Sequence, residues 1–194
     1  MRVDKRSFRS LVLSPLVAFG VVALVSAVPA DEHFSATAVN LDAGGTGRVT
    51  TEVEITVTRW STDLERTSLS TALQEGGSEA LLDKLRHFSP VGTMAALGSV
   101  GINVQFARRS IAASGTERVL LITDRPIGVW ETMNAGRSLE YPFTVIEMRI
   151  GPDGKGEGKA SLAAKVIYDP GTKEIELEDY SIQPVLLRNV ERSK

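Results

Sequence analysis

The chain has 194 residues, with 22 basic side chains against 24 acidic ones, two histidines and no cysteine. A net charge of −2 without a basic tract argues against binding a phosphate backbone, so nucleic acid is not an expected partner. Without thiols there are no disulfides, and stability must come from burial alone.

The first thirty residues read as an export leader. Arg2, Lys5, Arg6 and Arg9 precede an apolar block from Leu11 to Val28, and Val28-Pro29-Ala30 offers the small and β-branched residues that a signal peptidase reads. The rival is a retained anchor, since the block approaches the roughly 20 apolar residues that cross a bilayer. Pro15 and Gly20 weaken that reading. Lys5-Arg6-Ser7-Phe8 is a degenerate twin-arginine string with lysine in place of one arginine, so the ordinary unfolded export route is expected. No cysteine follows the block, which excludes a lipid-anchored form.

Removing residues 1–30 as a signal peptide takes away four basic and one acidic residue and shifts the net charge to −5. Residues 31–194 then form one β-rich domain, of a size that buries roughly 70% of its unfolded surface. No transmembrane segment remains after leader removal. The expected location is exported, periplasmic or extracellular; the lack of an Asn-x-Ser/Thr acceptor fits a bacterial source.

Period-two alternation opens the domain. Phe34 to Leu41 predicts a strand, the glycines of Asp42-Ala43-Gly44-Gly45-Thr46-Gly47 predict a turn, and Val49, Val53, Ile55 and Val57 alternate with Thr50, Glu52, Glu54 and Thr56 in a second strand. Thr62 and Glu65 have capping-box spacing, and Leu64, Leu69, Ala72 and Leu73 follow at helical spacing until Gly76-Gly77. Ser78 predicts a second cap, with Leu81, Leu82, Leu85 and Phe88 as an apolar stripe ended by Ser89-Pro90. The two helices read as a hairpin laid over a sheet face rather than as a lid over a cavity.

Strands resume over 91–97, 102–111, 119–123, 143–150, 159–168, 173–178 and 182–190, with an irregular stretch from Asp124 to Tyr141. The turns Gly151-Pro152-Asp153-Gly154 and Asp169-Pro170-Gly171-Thr172 suit fixed and positive φ. The expected fold class is α+β and β-rich: an antiparallel barrel or sandwich of about nine strands with a two-helix hairpin packed on it. A lipid-embedded barrel is disfavoured by Lys173, Glu174, Glu176 and Glu178 crowding one strand.

Catalytic and metal signatures are missing. His33 and His87 lack partners at ligand spacing, no serine sits in a Gly-x-Ser-x-Gly elbow, and none has lysine three residues on. Gly151, Gly154, Gly156 and Gly158 before Lys159 lack phosphate-loop spacing, and Asp153 with Glu157 is too few carboxylates for calcium; the cluster reads as a flexible hairpin turn. No catalytic residue, metal site or cofactor is therefore assigned.

The one segment with binding chemistry is Asp124 to Glu131 with Arg137 to Phe143, where Arg125, Trp130, Glu131 and Tyr141 are the candidate ligand-binding residues. The plainer reading makes Trp130 a plug and Arg125 half of a surface ion pair with Glu131 or Glu140. This segment, from Asp124-Arg125-Pro126-Ile127-Gly128 through Tyr141-Pro142-Phe143-Thr144 to Gly156-Glu157-Gly158-Lys159, resembles exported bacterial proteins that carry similar strings and have no assigned activity. The resemblance implies secretion and a shared fold, and brings no functional residue with it.

The expectation is an exported, non-enzymatic module that binds a small ligand or an envelope component, with a small molecule, a lipid or a glycan as partner classes. A carboxylate-dependent glycan hydrolase is the alternative, using Glu131, Glu140 or Glu147 with carboxyls roughly 5 to 9.5 Å apart. A protein that pairs through an exposed strand edge is the third.

Overall fold

The computed structural model describes residues 31–40, 49–125, 143–162, 164–171, 174–180 and 184–193. In chain order the elements are β1 (Glu32–Asn40), β2 (Val49–Val57), α1 (Asp63–Arg86), β3 (Gly92–Ala96), β4 (Ile102–Val104), β5 (Phe106–Ile111), β6 (Glu117–Ile122), β7 (Thr144–Ile150), β8 (Lys155–Leu162), β9 (Ala164–Asp169), β10 (Glu174–Tyr180) and β11 (Val185–Ser193). No described helix is long and apolar enough to cross a membrane.

Nine strands form one antiparallel sheet in the order β4-β3-β2-β1-β11-β8-β7-β6-β5. Its two ends are neighbours in the chain. Only Gln105 separates β4 from β5, and its amide bonds the Ile122 carbonyl at 2.9 Å. One run of chain therefore reaches β3 with its first half and β6 with its second, and the sheet nearly closes into a barrel. Ser61 extends the closure: its amide donates to Ala107 O at 2.8 Å, and its hydroxyl accepts from the Ala107 amide at 3.0 Å.

Alternation decides what lies inside. Along β2, Val53, Ile55 and Val57 are buried while Glu52 and Glu54 are exposed. Each of the nine strands sends at least one side chain into a single apolar cluster, from Phe34 on β1 through Met94, Val104 and Leu121 to Ile146 and Leu187. The interior is filled by side chains, as in other small barrels. On β8 the residues paired with Ile146, Met148 and Ile150 are Ala160, Gly158 and Gly156. A Cβ on Gly156 would stand 1.9 Å from Arg149 O, and one on Gly158 2.6 Å from Glu147 O, so these two glycines permit a close backbone approach. The expectation that the whole cluster is a hairpin turn is thus corrected. The turn ends at Gly154, whose amide bonds Gly151 O at 2.9 Å, and a strand begins at Lys155.

A second layer covers the outer face of β5 to β7. Leu69, Leu73, Leu81, Leu82 and Leu85 of α1 pack there with Phe106, Leu120, Ile122, Phe143 and Val145, joined by Val166 and Ile175 of the separate β9–β10 hairpin. Burial contributes about 1.5–3 kcal/mol per leucine, which outweighs the weak propensity of a helix containing two glycines. The predicted capping box forms in full: the Glu65 amide donates to Thr62 Oγ1 at 3.2 Å, and the Thr62 amide to Glu65 Oε2 at 2.7 Å.

The two-helix hairpin is overturned. The described residues hold one helical element, and only Gly77 (φ 66°, ψ −154°) leaves helical geometry inside it. Gly76-Gly77 resembles a stop signal, but a single left-handed residue kinks the helix without reversing it. Among the described residues eleven strands stand where about nine were expected, because the predicted 102–111 strand divides at Gln105 and the 159–168 strand divides into β8 and β9, the latter leaving the barrel sheet.

Candidate functional site

One mouth of the barrel is closed by charge. Glu32 continues the inward phase of Phe34 and Ala36, Arg109 that of Ala107, and Glu117 that of Val119 and Leu121. On β11 a register shift between Leu187 and Val190, where Asn189 takes φ 50°, moves the inward phase from odd to even residues and so turns Arg192 inward. Arg109 lies 2.9 Å from Glu32 and 4.0 Å from Glu117; Arg192 lies 3.6 Å from Glu32 and hydrogen-bonds Glu117 directly. The Trp60 indole N–H donates to Glu32 at 2.9 Å, and the guanidinium of Arg192 sits 5.2 Å from the Phe34 ring centroid. Two acids and two bases alternate, so the ring neutralises itself and serves as a polar plug over the apolar interior.

The residues singled out from the sequence fall elsewhere. Arg125 follows β6, half-exposed, 3.3 Å from Asp124, and its carbonyl accepts the Thr123 hydroxyl at 2.5 Å. Trp130, Glu131, Glu140 and Tyr141 lie outside the described residues. Glu147 is on β7, its carboxylate 3.2 Å from Arg118 and 3.4 Å from Arg149. His33 Nδ1 is 3.1 Å from the Thr56 hydroxyl, and His87 caps α1 with Nδ1 at 2.6 Å from Asp83 O. No group of three His, Cys, Asp or Glu able to hold a metal occurs among the described residues.

A site that the sequence did not reveal lies on the outer face of β7, β8 and β11. Glu147, Arg149, Glu157, Lys159, Leu186 and Arg188 line a depression of about 300 Å³ together with Gly158. Register assembles it: Glu147 stands opposite Lys159, Arg149 opposite Glu157, and Leu186 opposite Lys159 on the other side. Arg188 reaches Glu157 at 3.0 Å. A second, more open depression of about 450 Å³ adjoins it and shares Arg149; its walls carry Ser110, Ser114, Thr116 and Arg118 with Ile111. The signal was present as Glu-x-Arg and Glu-x-Lys spacing on the outward phase, but that spacing equally describes a solvated strand face.

Comparison with protein-family models, curated proteins and solved structures finds no match to this chain. Its function therefore rests on the geometry above.

Proposed function

We propose that this is an exported bacterial protein and a non-enzymatic binding module whose working surface is the outside of its barrel. The single observation that carries the reading is the solid interior: Phe34, Ile55, Leu121, Ile146 and Met148 meet in one cluster with less than 3% of any of them exposed. A carrier of lipid or another apolar ligand keeps a hollow there. Ionisable groups instead occupy the mouth ring and the outer face, and Glu147, the described member of the hydrolase set, is ion-paired with two arginines. Pairing through an edge of the nine-stranded sheet is also disfavoured, because the ends of that sheet meet at Gln105. The exported bacterial proteins with similar strings belong to this same reading.

Two measurements test it. The full chain expressed with its own leader in a bacterial host is fractionated and its N-terminus sequenced; an envelope product starting at Asp31 is expected, and intact chain retained in the cytoplasm overturns export. The product is then purified without denaturant, extracted with organic solvent and titrated with a lipophilic fluorophore. No stoichiometric lipid and no saturable fluorophore site are expected; either one overturns the solid-barrel reading.

A further inference from the structure

The geometry points to the paired depressions on the outer face as a binding groove for a linear anionic polysaccharide, one that carries a carboxylate on spaced sugar rings. The inference rests on the outer-surface reading above and names its ligand class.

Charge is the first observation. Among the described lining residues the two depressions present four cations, Arg118, Arg149, Lys159 and Arg188, against two carboxylates, Glu147 and Glu157, on a chain whose net charge is −2. A local sign opposite to the whole attracts an anionic ligand to that face. The donors are of the right kind, since a guanidinium reads a carboxylate with two parallel N–H bonds.

The arrangement of those charges selects among anions. Cations alternate with carboxylates across the strands, Arg118 and Arg149 flanking Glu147, and Arg188 beside Glu157. A flat anionic membrane would press its charge against Glu147 and Glu157 as well. A chain with separated carboxylates and hydroxyls between them places its anions on the arginines and donates its hydroxyls to the two glutamates. The second depression adds three protein hydroxyls, Ser110, Ser114 and Thr116. Each depression also offers a branched aliphatic side chain, Leu186 or Ile111, against which the apolar face of a sugar ring packs. Because the depressions share Arg149, the ligand spans both.

The test uses the exported protein with polygalacturonate as probe, dextran as the neutral polymer, and inorganic phosphate and phosphatidylglycerol vesicles as the other anion sources, all by titration calorimetry at low and high salt. Saturable binding of polygalacturonate that weakens with salt is expected, with none for dextran. Arg149→Gln and Lys159→Gln each weaken it by about tenfold, the scale of one lost charge-assisted contact. Arg86→Gln, the same charge change on the exposed end of α1, leaves it unaltered, and thermal melts confirm that each variant is folded. Absence of polygalacturonate binding, equal binding of dextran, an equal loss in Arg86→Gln, or vesicles or phosphate binding in place of the polymer each overturns the proposal. Its failure leaves the solid-barrel reading intact, since that falls only to an internal lipid or fluorophore site.

Discussion

Arg109 stacks on Trp60 with its guanidinium 4.9 Å from the ring centroid, and both residues direct an N–H at the same oxygen of Glu32. This pair joins the first strand of the barrel to the loop before α1 and to β5, and through Glu117 to β6. The Glu117 side chain is only 9% exposed, so its charge depends on Arg192 for compensation. Glu117→Gln is expected to lower stability by about 2–3 kcal/mol, because removing one partner leaves Arg192 only its longer contact with Glu32. Arg192→Met should cost a similar amount. In urea denaturation the double variant should be more stable than the sum of the two losses implies, by more than about 1 kcal/mol, as coupled neighbours require. Strict additivity would show that the ring is not a unit.

The Glu65 carboxyl gives stability a pH dependence of known sign. Hydrogen bonds from Arg59, at 2.8 and 3.0 Å, pull it from its usual 4.5 to about 2 against partial desolvation, and Thr62 assists. A depressed folded value means that the contribution is present above about pH 4.5 and fades as the pH falls toward 2. Glu65→Gln should therefore cost about 1–2 kcal/mol at pH 7, through the weakened cap and the lost charge-assisted pair. The gap between wild type and variant should narrow steadily below pH 4.5, as read from denaturation midpoints across pH. A gap independent of pH would refute the assignment.

Gly156→Ala is expected to destabilise by about 3 kcal/mol or prevent folding, since the new methyl would collide with the backbone of β7. Gly101→Ala meets only ordinary contacts, the closest at 3.5 Å, and should change stability by less than about 1 kcal/mol. Equal effects at the two positions in chemical denaturation would contradict the close approach of β8 to β7.

Leu85→Ala should cost about 2–5 kcal/mol by leaving a cavity between α1 and the outer face of the barrel. Far-ultraviolet circular dichroism of the variant should keep its strand signal, because the barrel has its own core. Simultaneous loss of strand signal under native conditions would mean that the two layers are one cooperative unit.

Much of this architecture was legible in local pattern. The alternation of Val53, Ile55 and Val57 and the Thr62–Glu65 box depend only on near neighbours, and both formed as their spacing implied. Glycine misled twice, because it marks a break in the chain, a bend, or a place where another backbone comes near. Gly77 is a bend inside one helix, and Gly156 and Gly158 are the third case. The mouth ring was not legible, since its members come from strands far apart in sequence and meet only through register, and the outer groove was not, since the alternation of β7 and β8 that builds it equally describes a solvated strand face. A partial signal existed: Glu32 and Glu117 each occupy the apolar phase of their own strand, an unusual place for a carboxylate.

The neighbour order of β1 has a consequence for how the molecule comes into being. Its partners are β2, which follows it directly, and β11, the last strand described. A chain emerging from a ribosome or threading through a pore completes one flank of that strand early and must wait for its far end before zipping the other. Until then the apolar ribbon of Phe34, Ala36 and Ala38 has half its hydrogen-bonding partners missing, which makes assembly late, highly non-local and slow.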